Sequence, residues 1–88
     1  MHIFHQFNRH KAEPPYVLIN IYRGSHGVQA VLSKSEDMPE DGYAWPDAAC
    51  DAEAALYWAA NYSGVSAVNI YVQMQGVKWD PRWGNLLD

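Results

Sequence analysis

The chain is poor in cysteine, poor in basic charge and free of long apolar runs. A single cysteine, Cys50, excludes an intramolecular disulfide framework and any zinc site built on several thiolates. Six Lys and Arg stand against ten Asp and Glu, a formal charge of −4. That balance argues against a non-specific nucleic-acid binder, which needs a basic surface. No apolar stretch approaches the roughly 20 residues of a membrane span. The segment Met1-His2-Ile3-Phe4-His5-Gln6-Phe7 lacks the charged start and long apolar stretch of a signal peptide. A soluble, cytoplasmic protein is therefore expected. Phosphate-binding glycine loops, the G-x-S-x-G elbow and the H-E-x-x-H zinc motif are all missing, so no catalytic residue and no cofactor are assigned.

What the chain does contain is enough for a core. Its 88 residues are 49% hydrophobic, which predicts one domain over 1–88 and not a disordered tail. Residues around Ile3 form a weakly marked first strand. Asn8 to Pro15 reads as a loop, since Pro14-Pro15 continues neither regular structure. Tyr16 to Tyr22 is a strand, with Val17, Ile19 and Ile21 on one face and Tyr16, Leu18, Asn20 and Tyr22 on the other. Arg23 to Gly27 makes a turn, and Val28 to Ser33 returns as the second arm of a hairpin. Lys34 to Trp45 is a long polar connection.

Asp47 to Tyr62 reads as a helix. Pro46 or Asp47 supplies its start, six alanines lie between Asp47 and Ala60, and Gly64 supplies its stop. On a helical wheel Ala48, Ala52, Ala55, Leu56 and Ala59 share the core side, while Tyr57 and Trp58 point away from its centre. Val65 to Gln75 is a strand with one apolar and one mostly polar face, ending near Gly76. Val77-Lys78-Trp79 follows as a short edge strand, then a turn at 80–84 and a tail. The fold class expected is α+β: three or four mainly antiparallel strands in the order β-β-β-α-β, with one helix on one face. The second face of such a sheet is left open, carrying Tyr16, Leu18, Tyr22 and Tyr71.

Charge is distributed unevenly. Glu36, Asp37, Glu40, Asp41, Asp47, Asp51 and Glu53 are seven of the ten acids, and no Lys or Arg interrupts 36–53. Tyr43 and Trp45 lie inside the run, and Tyr57 and Trp58 follow on the helix. Carboxylates steer a basic partner and aromatics supply anchor area. The simpler alternative is a solvated loop, with Trp58 covered by a tail that brings Trp79, Trp83 and Leu86 over it.

The histidines His2, His5, His10 and His26 suggest metal only weakly. Residues 2 and 5 point to opposite faces of a strand, and no acid or cysteine lies among the first ten residues. Cys50 near a helix start is a small, partly buried residue by default. Aromatics on an open sheet can stack bases, yet the basic residues are too few to expect direct contact with nucleic acid.

In size, charge and fold class the chain resembles the small acidic inhibitors carried by phages and mobile elements, anti-CRISPR proteins among them. The likeness implies a protein that blocks a basic surface of a larger, nucleic-acid-handling partner by steric and electrostatic occupation. Its partner-binding residues would be Glu36, Asp37, Glu40, Asp41, Tyr43, Trp45, Asp47, Asp51, Tyr57 and Trp58. Two alternatives stand beside it: a homodimeric structural or accessory subunit using the open sheet face, and a small metal-binding protein or enzyme using the histidines.

Overall fold

The computed structural model describes residues 3–25, 27–35, 45, 49–66 and 68–87, with 64–66 described by backbone alone. Six strands, one α-helix and one short 3-10 helix make up the fold: β1 (Ile3–Gln6), β2 (Tyr16–Gly24), β3 (Gly27–Lys34), β4 (Cys50–Asp51), α1 (Ala52–Ser66), β5 (Asn69–Gln75), the 3-10 turn Pro81–Trp83, and β6 (Asn85–Leu87). All six strands join one sheet in the order β4-β3-β2-β5-β1-β6.

The class is α+β, as expected. The sheet is larger than three or four strands, and it is mixed. β2 pairs antiparallel with β3, and β3 with β4. β5 lies parallel to both β2 and β1, and β6 lies parallel to β1. The connection from β3 to β5 explains the difference: β4 turns back against β3 and so runs in the sense of β2, and α1 leads from β4 to β5. A hairpin reverses the chain, whereas a crossover through a helix brings it back in the original direction. β5 therefore runs beside β2 in the same sense and slots between β2 and β1.

The alternation in β2 sets the core. Val17, Ile19 and Ile21 are fully buried, and Ala30, Ile70, Val72 and Phe4 join them from neighbouring strands. Against this row α1 lays Ala52, Ala55, Leu56, Ala59 and Tyr62, all buried. Their 3-1-3-3 spacing is one helical face, and its small residues let the helix axis approach the sheet closely. The core side chosen from the wheel is thus the observed one, apart from Ala48, which lies outside the described residues.

Several boundaries differ from expectation. The helix begins at Ala52, not Asp47. Cys50 and Asp51 instead pair with Ala30 and Gln29 on β3, and the Asp51 carboxylate accepts the Glu53 backbone N–H at 3.1 Å, so the cap is Asp51. The helix also runs through Gly64 to Ser66, so Gly64 is not its stop. Ser63 Oγ donates to the Val68 carbonyl at 2.8 Å, tying the helix end to the start of the next link. The hairpin closes more tightly than expected, with Gly24 opposite Gly27, and Gly27 takes φ +109°, which favours glycine. Gly76, at φ +70°, ends β5. Val77 to Trp79 is not a strand. The edge is formed instead by β6, where Ile3, Phe4 and His5 pair with Asn85, Leu86 and Leu87.

The helix packs on β2, β3, β4 and β5, and large rings fill its two flanks. On one flank Trp58 stacks on Tyr62 (5.1 Å between centroids, 8° between planes) and Trp45 closes against both at 4.6 and 5.2 Å. On the other, Phe4 meets Trp79 at 5.6 Å and Trp79 meets Trp83 edge-on at 5.2 Å.

One polar atom sits awkwardly on β2. The side-chain oxygen of Asn20 is buried with no hydrogen-bond partner among the described residues. A buried acceptor left unpaired costs about 1–3 kcal/mol, and valine suits a strand better than asparagine. Asn20→Val is expected to raise stability by about 1 kcal/mol in urea denaturation. A loss of stability would show that the amide is satisfied in solution.

Candidate functional site

Of the ten residues singled out for partner binding, Glu36, Asp37, Glu40, Asp41, Tyr43 and Asp47 lie outside the described residues. The remaining four divide into two kinds. Asp51 and Tyr57 are exposed, Tyr57 at 70%. Trp45 and Trp58 are half-buried and pack against the core.

The ring stack explains the second pair. Trp58 and Tyr62 are four residues apart, so they lie one above the other on the helix. Trp45 caps them, and the Lys34 ammonium lies 5.5 Å from the centre of the Trp45 ring, a cation–π distance. The tail does not supply this cover as the simpler alternative expected. Its Trp79 and Trp83 serve Phe4 on the other flank, and the Trp79 indole N–H donates to the Gly84 carbonyl at 3.0 Å.

Asp51, Glu53 and Tyr57 form the described part of the acidic surface, all exposed. Glu53 and Tyr57 are one helical turn apart. Beside them a shallow groove of about 270 Å³ runs between the helix and the 3-10 turn, with Phe4, Leu56 and Trp83 below and Arg82 at its far rim. Arg82 is held there by Asp80: its Nη2 donates at 2.7 Å and its Nε at 3.1 Å to the same carboxylate oxygen, and its backbone N–H donates to the other at 2.9 Å. These hydrogen bonds hold the Asp80 carboxyl below the usual carboxylate range. Beyond an Asp-Pro-Arg turn, nothing local in the residue order hints at this clasp.

The other side of the sheet is uncovered by the helix. Three of the four exposed large hydrophobic residues among those described, Ile3, Val31 and Leu87, lie on it, since their strand neighbours Phe4, Ala30 and Leu86 point to the core. Tyr16, Leu18, Asn20 and Tyr22 are half-exposed there, as expected from the alternation, and so is Tyr71. Apart from Asp51 on the β4 edge, the strand positions that share this face carry no Asp, Glu, Lys or Arg among the described residues.

Among the described residues no three His, Cys, Asp or Glu side chains converge as metal ligands. His5 is exposed on β1 and His10 on the following loop, while His2 and His26 lie outside the described residues. No described helix is long and apolar enough to cross a membrane. Burial pushes the Cys50 thiol above its usual range, and the Asp51 carboxylate beside it acts in the same direction. No family model, no curated protein and no solved structure matches the chain.

Two predictions follow from this geometry. Trp58→Ala removes half of a ring stack, and is expected to lower unfolding free energy by about 2 kcal/mol. An unchanged denaturation midpoint would show that the stack contributes no stability. Cys50, kept as the neutral thiol, is expected to react with Ellman's reagent more slowly at pH 7 in the native protein than in urea. Equal rates would show a free and reactive thiol.

Proposed function

We propose that the protein is a non-catalytic binding module that occupies a basic surface of a larger protein. The observation that carries the reading is the exposed run Asp51, Glu53 and Tyr57 at the start of the helix. It follows directly in sequence on the acidic segment that includes Glu36, Asp37, Glu40, Asp41 and Asp47. A tyrosine ring exposed beside carboxylates offers anchor area together with orientation. Tyr57 is the anchor in this reading, and Trp45 and Trp58 support it from within the ring stack. A nucleic-acid-handling partner fits best, because such proteins present basic channels. Blocking them needs no turnover, and the action is that of an inhibitor of the phage-borne, anti-CRISPR kind.

The uncovered sheet face favours a second reading, a homodimer. Ile3, Val31 and Leu87 exposed on an almost uncharged face are what a self-complementary contact requires.

One experiment separates the two. Tagged protein is used to capture partners from bacterial lysate at low and at high salt, and its oligomeric state is measured alongside. A single basic partner, lost at high salt, is expected. Association with that partner is expected to slow when Glu36, Asp37, Glu40 and Asp41 are neutralised together. Tyr57→Ala is expected to weaken binding by about 2 kcal/mol while leaving stability unchanged. A dimer that captures nothing would overturn the inhibitor reading in favour of the homodimer.

A further inference from the structure

The open face of the sheet is not uniform. At the β1–β5 end the loop of residues 8–15 folds across it and closes a cleft of about 520 Å³, within the range of small-molecule sites. The loop is held at both ends. At its start Asn8 accepts the backbone N–H groups of Lys11 and Ala12 on its carbonyl and that of His10 on its side chain. Near its end Glu13 donates its backbone N–H to the Tyr71 hydroxyl at 3.1 Å and accepts the Asn69 side-chain amide at 3.0 Å. Tyr71 and Asn69 both stand on β5, so the end of the loop is tied to the sheet floor.

The floor is aromatic. Tyr71 meets Phe7 edge-on at 6.1 Å and Tyr16 edge-on at 5.4 Å, and His5 lies 6.3 Å away. Tyr71 is fixed at its hydroxyl by Glu13, so its ring is already oriented before anything binds. Beside it stand the primary amides of Asn8 and Asn69, whereas Gln6, whose register partner is the core residue Val72, lines the cleft from the strand end with its side chain on the helix side. A primary amide presents a donor and an acceptor side by side, which is what vicinal hydroxyl groups present in return. The two formal charges that line the cleft, Lys11 and Glu13, are opposite in sign. A phosphate or carboxylate would meet Glu13, and an ammonium would meet Lys11. Arg9 and His10, on the same loop, do not line the cleft.

We propose that this cleft binds a neutral polyhydroxylated ligand, a saccharide of one or two rings. Tyr71 packs against the apolar C–H face of a pyranose, Phe7, set edge-on to it, closes the side, and Asn8, Asn69, Lys11 and Glu13 bind its hydroxyls. The site lies across the sheet from Glu53 and Tyr57 and does not depend on the partner-binding reading.

The full chain is tested by saturation-transfer NMR with glucose, galactose, N-acetylglucosamine and cellobiose, each at tens of millimolar, with adenosine monophosphate as the charged comparison. At least one sugar is expected to show saturation on its ring C–H protons, with millimolar affinity. In ¹⁵N-labelled protein that sugar is expected to shift the side-chain amides of Asn8 and Asn69. Glu13→Ala and Lys11→Ala change exposed side chains and leave the fold in place. Each is expected to weaken binding about fivefold to tenfold. Absence of saturation from all four sugars overturns the proposal. So does tighter binding of adenosine monophosphate, or amide shifts confined to other residues.

Discussion

One helix has to cover one side of a six-stranded sheet, and most of the structure follows from that mismatch. Strands lie about 4.8 Å apart, whereas a helix with its side chains is about 10–12 Å across. A single helix therefore shields the central strands well and the outer ones poorly. Val17, Ile19 and Ile21 sit under its middle and are fully buried. The alanine-rich face of α1 lets it press close there. Farther out, the apolar surface needs side chains with reach, and each flank is filled by a group of rings. All four tryptophans, Trp45, Trp58, Trp79 and Trp83, pack against the core from these flanks. The chain's wealth of tryptophan is thus first an answer to a covering problem.

That answer changes how the aromatic residues bear on function. A tryptophan in a protein this small looks like an anchor for a partner when only its neighbours in sequence are known. Here Trp58 lies flat on Tyr62 and under Trp45, and exposing it would cost the stack. Tyr57, its neighbour, carries no such duty and is 70% exposed. One step along the helix turns the side chain by about 100°, and that step separates a structural ring from an available one.

Much of the fold was legible because strand and helix periods are local. The alternation in 16–22 identified the buried row and the open face, and the wheel identified Ala52, Ala55, Leu56 and Ala59. What could not be read was decided by contacts between distant segments. From sequence the helix start falls at Pro46 or Asp47, because a capping residue type alone does not say where the strand pairing ends. Pairing of Cys50 with Ala30 across the sheet edge selects Asp51. Asn85-Leu86-Leu87 has no period to recognise and becomes a strand because Ile3 to His5 offers it an edge. Strand order is equally silent, since nothing in 3–6 or 69–75 states that the first strand will lie beside the fifth. The candidate site was legible to the same degree. The acidic run was plain in the composition. The cleft was not, because it is built from the end of β1 and the loop after it, together with two residues of β5, Asn69 and Tyr71, that are distant in sequence.

The two faces of the sheet are left with different chemistry. On the helix side the first helical turns leave Glu53 and Tyr57 exposed. On the other side the strand positions are tyrosine, amide, hydroxyl and aliphatic, with formal charge confined to the β4 edge. A charged surface acts at a distance and governs how fast an opposite charge arrives, whereas an uncharged polar surface acts only on contact, through shape and hydrogen bonds. Such a division suits a molecule that meets two unlike ligands. The sheet keeps them apart, since a change of charge at Glu53 leaves the amides beside Tyr71 on the far side untouched, and each face is then free to be tuned on its own.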